Sequence, residues 1–383
     1  MRILLDATTV PQRPAGAGRY ALELARALAG LDGDHELIVL ERWGALADLA
    51  KRSSPDSASR KARRVRTRVL RPRFRSRLMR GVWEQSVLPA LAFRLHTDIL
   101  HSTHHSLPLL PVRGAAVVTV HDLNTFLLPD RYPPARRFSS QLLTELGARR
   151  AEAVIVPSHS VAADLLRRIR LPEARIHVVA EAAAASFCPQ PQTRIEACRQ
   201  RLRLPERYIL SLGTIEPGKN RATLLRAFLM LHRRVPHHLI VAGQRGWLQD
   251  SLGVEVERLG IQDRVHFLGY VSEAELPALY GGADLFVFPS WREGFGLPPL
   301  EAMACGTPVV SSNAPALPEV LGDAALYTAP GDAAALAGAI ERCLVDRVLW
   351  NSLRDRGLRR ASRYSWERAA QDTLTVYRSV IGG

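Results

Sequence analysis

The sequence predicts an α/β protein of two domains, each a parallel β-sheet with crossover helices. Strand, turn and helix signals alternate along the whole chain, which is the pattern of repeated βα units. That pattern restarts at Tyr208, after a crossover from Glu181 to Pro191. A chain of 383 residues also exceeds what one ordinary core organises. The domains are therefore expected over residues 1–190 and 191–365, with a last helix over 366–383.

Composition narrows the class. Hydrophobic residues make up 47%, yet no apolar run approaches the ~20 residues of a membrane span. Met1–Asp6 reads as a strand and not as a signal peptide, because Asp6 interrupts the apolar run almost at once. Cys188, Cys198, Cys305 and Cys343 form no C-x-x-C pair, which argues against a zinc site and a disulfide framework. A soluble, cytoplasmic protein is the expectation. Through residue 195 there are 30 Lys/Arg against 17 Asp/Glu, or +13, whereas the remainder has 22 against 20, or +2. An acidic partner is thus expected at the first half.

In chain order, Ile3–Asp6 is a first strand, and its loop ends in Gly16-Ala17-Gly18-Arg19-Tyr20 before a helix through Leu28. A G-x-G between a strand and a helix is an anion-binding context or a plain flexible turn. Glu36–Leu40 is a second strand. Residues 60–80 then carry Lys and Arg with no acid and with interleaved Val65, Val69, Leu70, Phe74, Leu78 and Met79. This composition fits an interfacial segment on anionic membrane, which is preferred here. A solvated loop stays open, and nucleic acid is not expected, because no nucleic-acid fold signature accompanies the charge.

Asp98–His101 is a short strand that leads into His104 and His105. No third metal ligand is evident there, so acceptor contact or plain loop structure is expected. Ala115–Val120 is a buried strand ending in His121, at the sheet edge where α/β proteins bind ligands. A residue at that place can hydrogen-bond a ligand hydroxyl through a neutral imidazole or offer its carbonyl to a developing cation. Ala153–Val156 and Ile176–Val179 complete the first half. In the second, Tyr208–Leu212 leads into Gly213-Thr214-Ile215-Glu216-Pro217-Gly218-Lys219-Asn220, and strands at His238–Ala242 and Val265–Leu268 follow.

The most informative stretch begins where the apolar run Ala283–Phe288 ends. In Pro289-Ser290-Trp291-Arg292-Glu293-Gly294-Phe295-Gly296-Leu297-Pro298-Pro299-Leu300-Glu301, two glycines allow a tight turn and two prolines suit the first turn of a helix. A strand, a Gly-rich turn and a helix N-terminus offer amides to a phosphate. Glu293 and Glu301 flank it and are good acceptors for sugar hydroxyls. Taken singly, Glu301 could equally complement the helix N-terminus and Glu293 be a solvated loop residue.

EGFGLPPLEAMACGTPVV, with its Glu-x7-Glu spacing, resembles the signature of the retaining GT-B glycosyltransferases of group 1 (family 4-like). GAGRY, VTVHDL, VIVPSHSVAADL, ILSLGTIEPGKN and VHFLGYVSEAEL occur in that family's order. The resemblance implies two Rossmann-like domains facing across a cleft, with donor on the second, acceptor on the first, and the last helix, 366–383, packing back on the first. It implies transfer of a hexose from a nucleotide-diphosphate sugar to a glycan or lipid-linked acceptor, with retention and without a cofactor. Mannose, from GDP-mannose, is the preferred sugar because the GTIEP-x-KN subgroup is often linked to it.

Residue by residue, the resemblance assigns Glu301 to the ribose hydroxyls, Glu293 and His121 to the transferred sugar, and the amides of Phe295, Gly296 and Leu297 to the diphosphate and sugar. Lys219 would neutralise the diphosphate, Val271 would touch the base through its backbone, and the Gly16–Gly18 loop would close over the donor. Arg19, His104 and His105 are acceptor candidates. Thr214 and Gly218 stand where the family often has an Arg beside the Lys, and Arg19 is a possible substitute. No Asp-x-Asp metal motif occurs, which fits metal-independent chemistry. A sugar-nucleotide 2-epimerase of the same fold and a non-catalytic binder of anionic surfaces are the alternatives.

Overall fold

A computed structural model of the protein describes residues 1–52, 65–74, 76–244 and 249–382. The chain divides into two compact units, Met1–Glu181 with Ser365–Gly383, and Ala182–Tyr364. The crossover after the last strand of the first unit thus joins the second unit earlier than residue 190. Phe187 explains this by packing edge-on against Tyr280 with ring centroids 6.0 Å apart.

The first unit holds β1 (Arg2–Asp6), β2 (Glu36–Leu40), β3 (Arg66–Leu70), β4 (Ile99–Ser102), β5 (Ala115–Thr119), β6 (Ala153–Val156) and β7 (Ile176–Val178). They form one sheet in the order β3-β2-β1-β4-β5-β6-β7, every pair parallel. In the second unit are β8 (Tyr208–Leu212), β9 (His238–Ala242), β10 (Val265–Gly269), β11 (Leu285–Phe288), β12 (Val309–Ser312) and β13 (Ala325–Thr328). Their order is β10-β9-β8-β11-β12-β13, again all parallel. Strands this short and apolar suit a sheet covered by helices on both faces, and Ile3–Leu5, Leu37–Leu40 and Leu285–Phe288 are fully buried. Each order reverses beside the unit's first strand, between β1 and β4 and between β8 and β11. Loops diverge there from the carboxyl ends, which makes those edges the natural places for ligands.

The arginine-rich stretch departs from expectation. Residues 60–64 and 75 lie outside the described residues, but Arg66–Leu70 is an edge strand, in register with Glu36–Leu40. Arg66 and Arg68 point outward while Thr67 is buried, so the charges guard a strand edge against further pairing. Several of these cations also find acids elsewhere in the unit. Arg71 Nε donates to Glu41 Oε1 at 2.9 Å, Arg80 Nη1 to Glu84 Oε2 at 2.6 Å, and Arg68 lies 3.7 Å from Glu36. Fold-internal pairing accounts for part of the charge that the sequence assigns to a partner.

The C-terminal helix Trp366–Ile381 belongs to the first unit. It buries Ala369, Ala370, Leu374 and Tyr377 there, and the Tyr377 hydroxyl hydrogen-bonds His101 Nδ1 at 2.5 Å.

Glycine is required where adjacent strand ends converge. Gly243, just after β9, has φ +142°, and a Cβ there would stand 2.0 Å from the carbonyl oxygen of Gly213, which follows β8. Gly243→Ala should therefore cost roughly 2–4 kcal/mol, combining overpacking with backbone strain. Urea unfolding of the variant measures this, and a loss below ~1 kcal/mol would show that the two strand ends can separate freely.

Candidate active site

At the carboxyl edge of the second sheet, two loops are stitched together. One runs from Gly213 to Asn220 after β8, the other from Pro289 to Gly296 after β11. Asn220 adopts a left-handed conformation, φ 52°, and its Nδ2 donates to Pro289 O at 2.9 Å while Thr223 Oγ1 donates back to its Oδ1 at 2.8 Å. Trp291 N donates to Gly218 O at 2.9 Å. Lys219 Nζ donates to Glu293 Oε1 at 2.7 Å. Burial works against the ammonium charge, but Glu293 and Glu216 outweigh it, so Lys219 titrates above its ordinary value.

The Gly-rich turn enters the helix Leu297–Ala304 through Gly296, whose φ of +106° only glycine adopts readily. No side chain caps this helix. Pro298 and Pro299 carry no N–H, so the donors at this end are the amides of Phe295, Gly296 and Leu297. Phe295 is buried and meets Tyr364 edge-on at 5.7 Å, which holds the turn in place. Glu301, one turn into the helix, is 2% exposed, and Tyr280 OH donates to its Oε2 at 2.9 Å. Val271 is buried just beyond β10, and Thr214 is half-buried in the first loop. The edge thus brings together Thr214, Lys219, Glu293, the three amides and the loop-side helix turn of Glu301.

In the first unit, Gly16 has φ +46° and precedes the helix Ala17–Gly30. Gly18 is packed so closely that a Cβ would stand 3.3 Å from both Pro11 and Pro14. Arg19 is half-buried on that helix. Behind it lies a hydrogen-bonded chain of buried groups. His101 Nε2 and Tyr20 OH both reach Thr119 Oγ1, at 2.8 and 3.0 Å. Burial and the neighbouring His121 and His104 push His101 down to about 3, so its ring is neutral.

His121 differs from expectation. Its Nδ1 lies 3.2 Å from Glu181 Oε1 and its Nε2 3.0 Å from Thr103 O. A carboxylate and a carbonyl only accept, so the ring that satisfies both is the imidazolium. Burial opposes that charge, yet the hydrogen bond and the charge of Glu181 raise the His121 pKa above 6.5. The Tyr20 ring packs edge-on against it at 4.7 Å. Both ring nitrogens of His121 are thus engaged within the first unit. Glu181 escapes sequence reasoning because its only local signal is a lone acid in an alanine run.

His104 and His105 are also drawn inward. His104 Nδ1 meets Ser102 Oγ at 3.0 Å, and Nε2 lies 3.4 Å from Arg80 Nη1 and 3.5 Å from Glu84 Oε2. Glu84 is buried, and although burial alone would raise its pKa, His104 and Arg80 hold it down to about 2. His105 is half-buried, and burial and His104 lower its pKa to about 4. Among the described residues no three His, Cys, Asp or Glu side chains converge as a metal site.

Two parallel sheets, each reversed beside its first strand, have the α/β architecture of the GT-B glycosyltransferases. Residues 14–182 match Glycosyltransferase Family 4, and residues 195–360 match Glycosyl transferases group 1. O-antigen chain mannosyltransferase B of Escherichia coli is 33% identical, with 99% of this chain and all of that protein aligned. The serotype-specific mannosyltransferase WbdA of Escherichia coli is 33% identical over 73% of this chain, which spans 35% of that longer protein. Among solved structures, Anabaena HepE in complex with UDP and glucose superposes with a TM-score of 0.76 at 20% identity, covering 99% of this chain and 100% of that one. The chain belongs to the group 1 glycosyltransferases and is a glycosyltransferase.

The His121–Glu181 pair has a pH signature. A histidine whose folded pKa is raised above the unfolded value of ~6.5 contributes stability that is fully present below that value and is lost as pH rises through the folded pKa. Glu181→Gln should lower the His121 midpoint, read by NMR of the ring protons. The stability gap between wild type and variant should be largest near about pH 6 and should shrink toward alkaline pH. An unshifted midpoint in the variant would show that Glu181 does not set the charge of this ring.

Proposed function

We propose that the protein is a retaining hexosyltransferase that moves a sugar, mannose by preference, from a nucleotide-diphosphate sugar to a glycan or lipid-linked acceptor in polysaccharide assembly. The observation that carries the donor assignment is the second-unit edge, where a lysine, three backbone amides and two carboxylates are held by one stitched pair of loops and the helix that follows them. Such an edge matches a molecule with phosphate in the middle and hydroxyl-rich groups at both ends. The relatives named mannosyltransferases support mannose, and GDP-mannose is the donor preferred in this reading.

In this reading, breaking the bond from anomeric carbon to phosphate leaves negative charge on the diphosphate and oxocarbenium character on the sugar. Lys219 and the amides of Phe295, Gly296 and Leu297 stabilise the first. The bound diphosphate displaces Glu293 as the counter-ion of Lys219 and frees that carboxylate for the sugar hydroxyls. Glu301, oriented by Tyr280, takes the ribose. The acceptor hydroxyl attacks from the side the diphosphate leaves, and a diphosphate oxygen takes its proton, so the configuration is retained without a protein nucleophile or a metal. Both ring nitrogens of His121 are engaged, so its main-chain carbonyl is the group left to face the developing cation. Arg19, His104 and His105 belong to the acceptor side, with Glu84 and Arg80 fixing His104.

Acceptor access explains the basic and apolar surface of the first unit. The helices Arg77–Leu95 and Pro134–Arg150 both begin at the carboxyl edge of the sheet, and each exposes an apolar i,i+4 pair in its first turns: Leu78 (79%) with Val82, and Phe138 (67%) with Leu142. With Arg66, Arg68 and Arg73 exposed nearby in sequence, this surface suits an anionic membrane that carries a lipid-linked acceptor. No helix among the described residues is long and apolar enough to cross a membrane.

Incubation with GDP-mannose and a polyisoprenyl-linked glycan should give a longer glycan and GDP. Release of a sugar epimer without acceptor would contradict transfer. Glu301→Ala should weaken nucleotide binding ~10-fold or more, while Glu293→Gln should lower kcat ~10²-fold with near-normal nucleotide affinity. Wild-type donor kinetics in both variants would remove these residues from the donor site.

Replacing Arg66, Arg68, Leu78 and Val82 with serine should abolish co-sedimentation with phosphatidylglycerol vesicles at low salt and leave nucleotide affinity unchanged. A wild-type protein that ignores such vesicles would rule the membrane contact out.

A further inference from the structure

The loop that presents Lys219 hides a second cation. Arg221, the first residue of the helix Arg221–Leu231, is 4% exposed. Its Nη1 donates to Ser211 Oγ, whose hydroxyl donates to Val287 O at 2.6 Å. Among the described residues, Nε and Nη2 have no hydrogen-bond partner. Those two N–H groups lie on one edge of the planar fork, the edge that takes a pair of carboxylate or phosphate oxygens side-on. Leaving such an edge empty in a buried place is costly, because the guanidinium has given up water without regaining acceptors.

The empty edge sits beside the candidate phosphate site. A Cβ built on Gly213 would stand 3.5 Å from Arg221 Nη2 and 3.6 Å from Lys219 Cε, so both cations border the space above the carboxyl end of β8. Glycine at 213 keeps that space clear of a side chain. Glu293, the carboxylate whose charge acts on both cations, is already bonded to Lys219. Burial lowers the Arg221 pKa to about 10, and the group remains charged at neutral pH.

We infer that Arg221 is the second cation of the donor site and receives an oxygen of a nucleoside diphosphate on its Nε/Nη2 edge while Lys219 receives another. Resting on the donor reading above, this assignment answers what partners Lys219, since Thr214 and Gly218 cannot. It also makes Arg221, which borders the same space as Lys219, the compensating residue.

The test compares the full chain titrated with GDP and GMP, and with UDP and UMP, so that the gain in affinity from the second phosphate is read directly. Arg221→Met should cut that gain ~10-fold or more, and Gly218→Arg added to it should restore most of the loss. Position 218 can take the new side chain, because a Cβ there meets only Glu216 Oε1, at 3.8 Å, and its φ is not positive. An unchanged diphosphate-over-monophosphate ratio in a folded Arg221→Met protein overturns the assignment while leaving the donor reading intact. A wild type that binds none of the four nucleotides overturns both. If Arg221→Met does not fold, Gly218→Arg on the wild-type background decides: a site already holding two cations gains less than ~3-fold for the diphosphate, and a gain of ~10-fold shows that Arg221 was not serving it.

Discussion

Everything on the second sheet's edge depends on the bonding between the loop after β8 and the loop after β11. Ser211 and Val287, near the ends of these two strands, are 76 residues apart in the chain, yet the hydroxyl of one reaches the carbonyl of the other. They are neighbours because the strand order reverses there. Asn220 to Pro289, Trp291 to Gly218 and Lys219 to Glu293 then tie the loops at three points, one of them backbone to backbone. That backbone bond sets loop position independently of side-chain rotamers. The Lys219–Glu293 pair is of another kind, since a half-hidden ion pair can exchange one anion for another with less desolvation than an isolated charge would face.

The first unit uses a different device. Its histidines at the strand ends are sorted by environment into charge states. His101 is enclosed by Tyr377 and Thr119 hydroxyls and stays neutral, whereas His121 is enclosed by a carboxylate and a carbonyl, which favour its charged form. Each state favours the other, because the positive ring at His121 helps to keep His101 neutral. The last helix contributes to this arrangement through Tyr377, so residues from both ends of the chain meet at one strand, β4.

Charge in the first unit likewise divides in two. Arg71 and Arg80 serve buried or nearly buried acids, Glu41 and Glu84, and so belong to the fold. Arg66 and Arg68 occupy the outward positions of an edge strand, where they both keep the sheet from extending and leave positive charge on the surface. Net charge counted along a sequence does not distinguish these uses, because the acids that neutralise a basic run come both from another strand's end, as Glu41 does, and from the next turn of the same helix, as Glu84 does.

Features that depend on neighbours along the chain were legible in the residues alone. Apolar runs of four or five residues marked the strands, Gly296 with Pro298 and Pro299 marked the tight entry into a helix, and Glu293 and Glu301 flanked that entry as their spacing required. Restarting βα units marked the two parallel sheets. Which groups face one another across the strand order became visible only in the folded chain. Glu181 lies 60 residues from His121 and raises its pKa, Tyr280 lies 21 residues from Glu301 and orients it, and the β8–β11 adjacency buries Arg221 beside Lys219. Folding also made a strand of Arg66–Leu70, whose arginines hide a period-two pattern that only the partner β2 makes visible. The reason is physical: propensity and turn chemistry act over a few residues, whereas protonation, orientation and desolvation are set by whatever the fold brings within hydrogen-bonding distance.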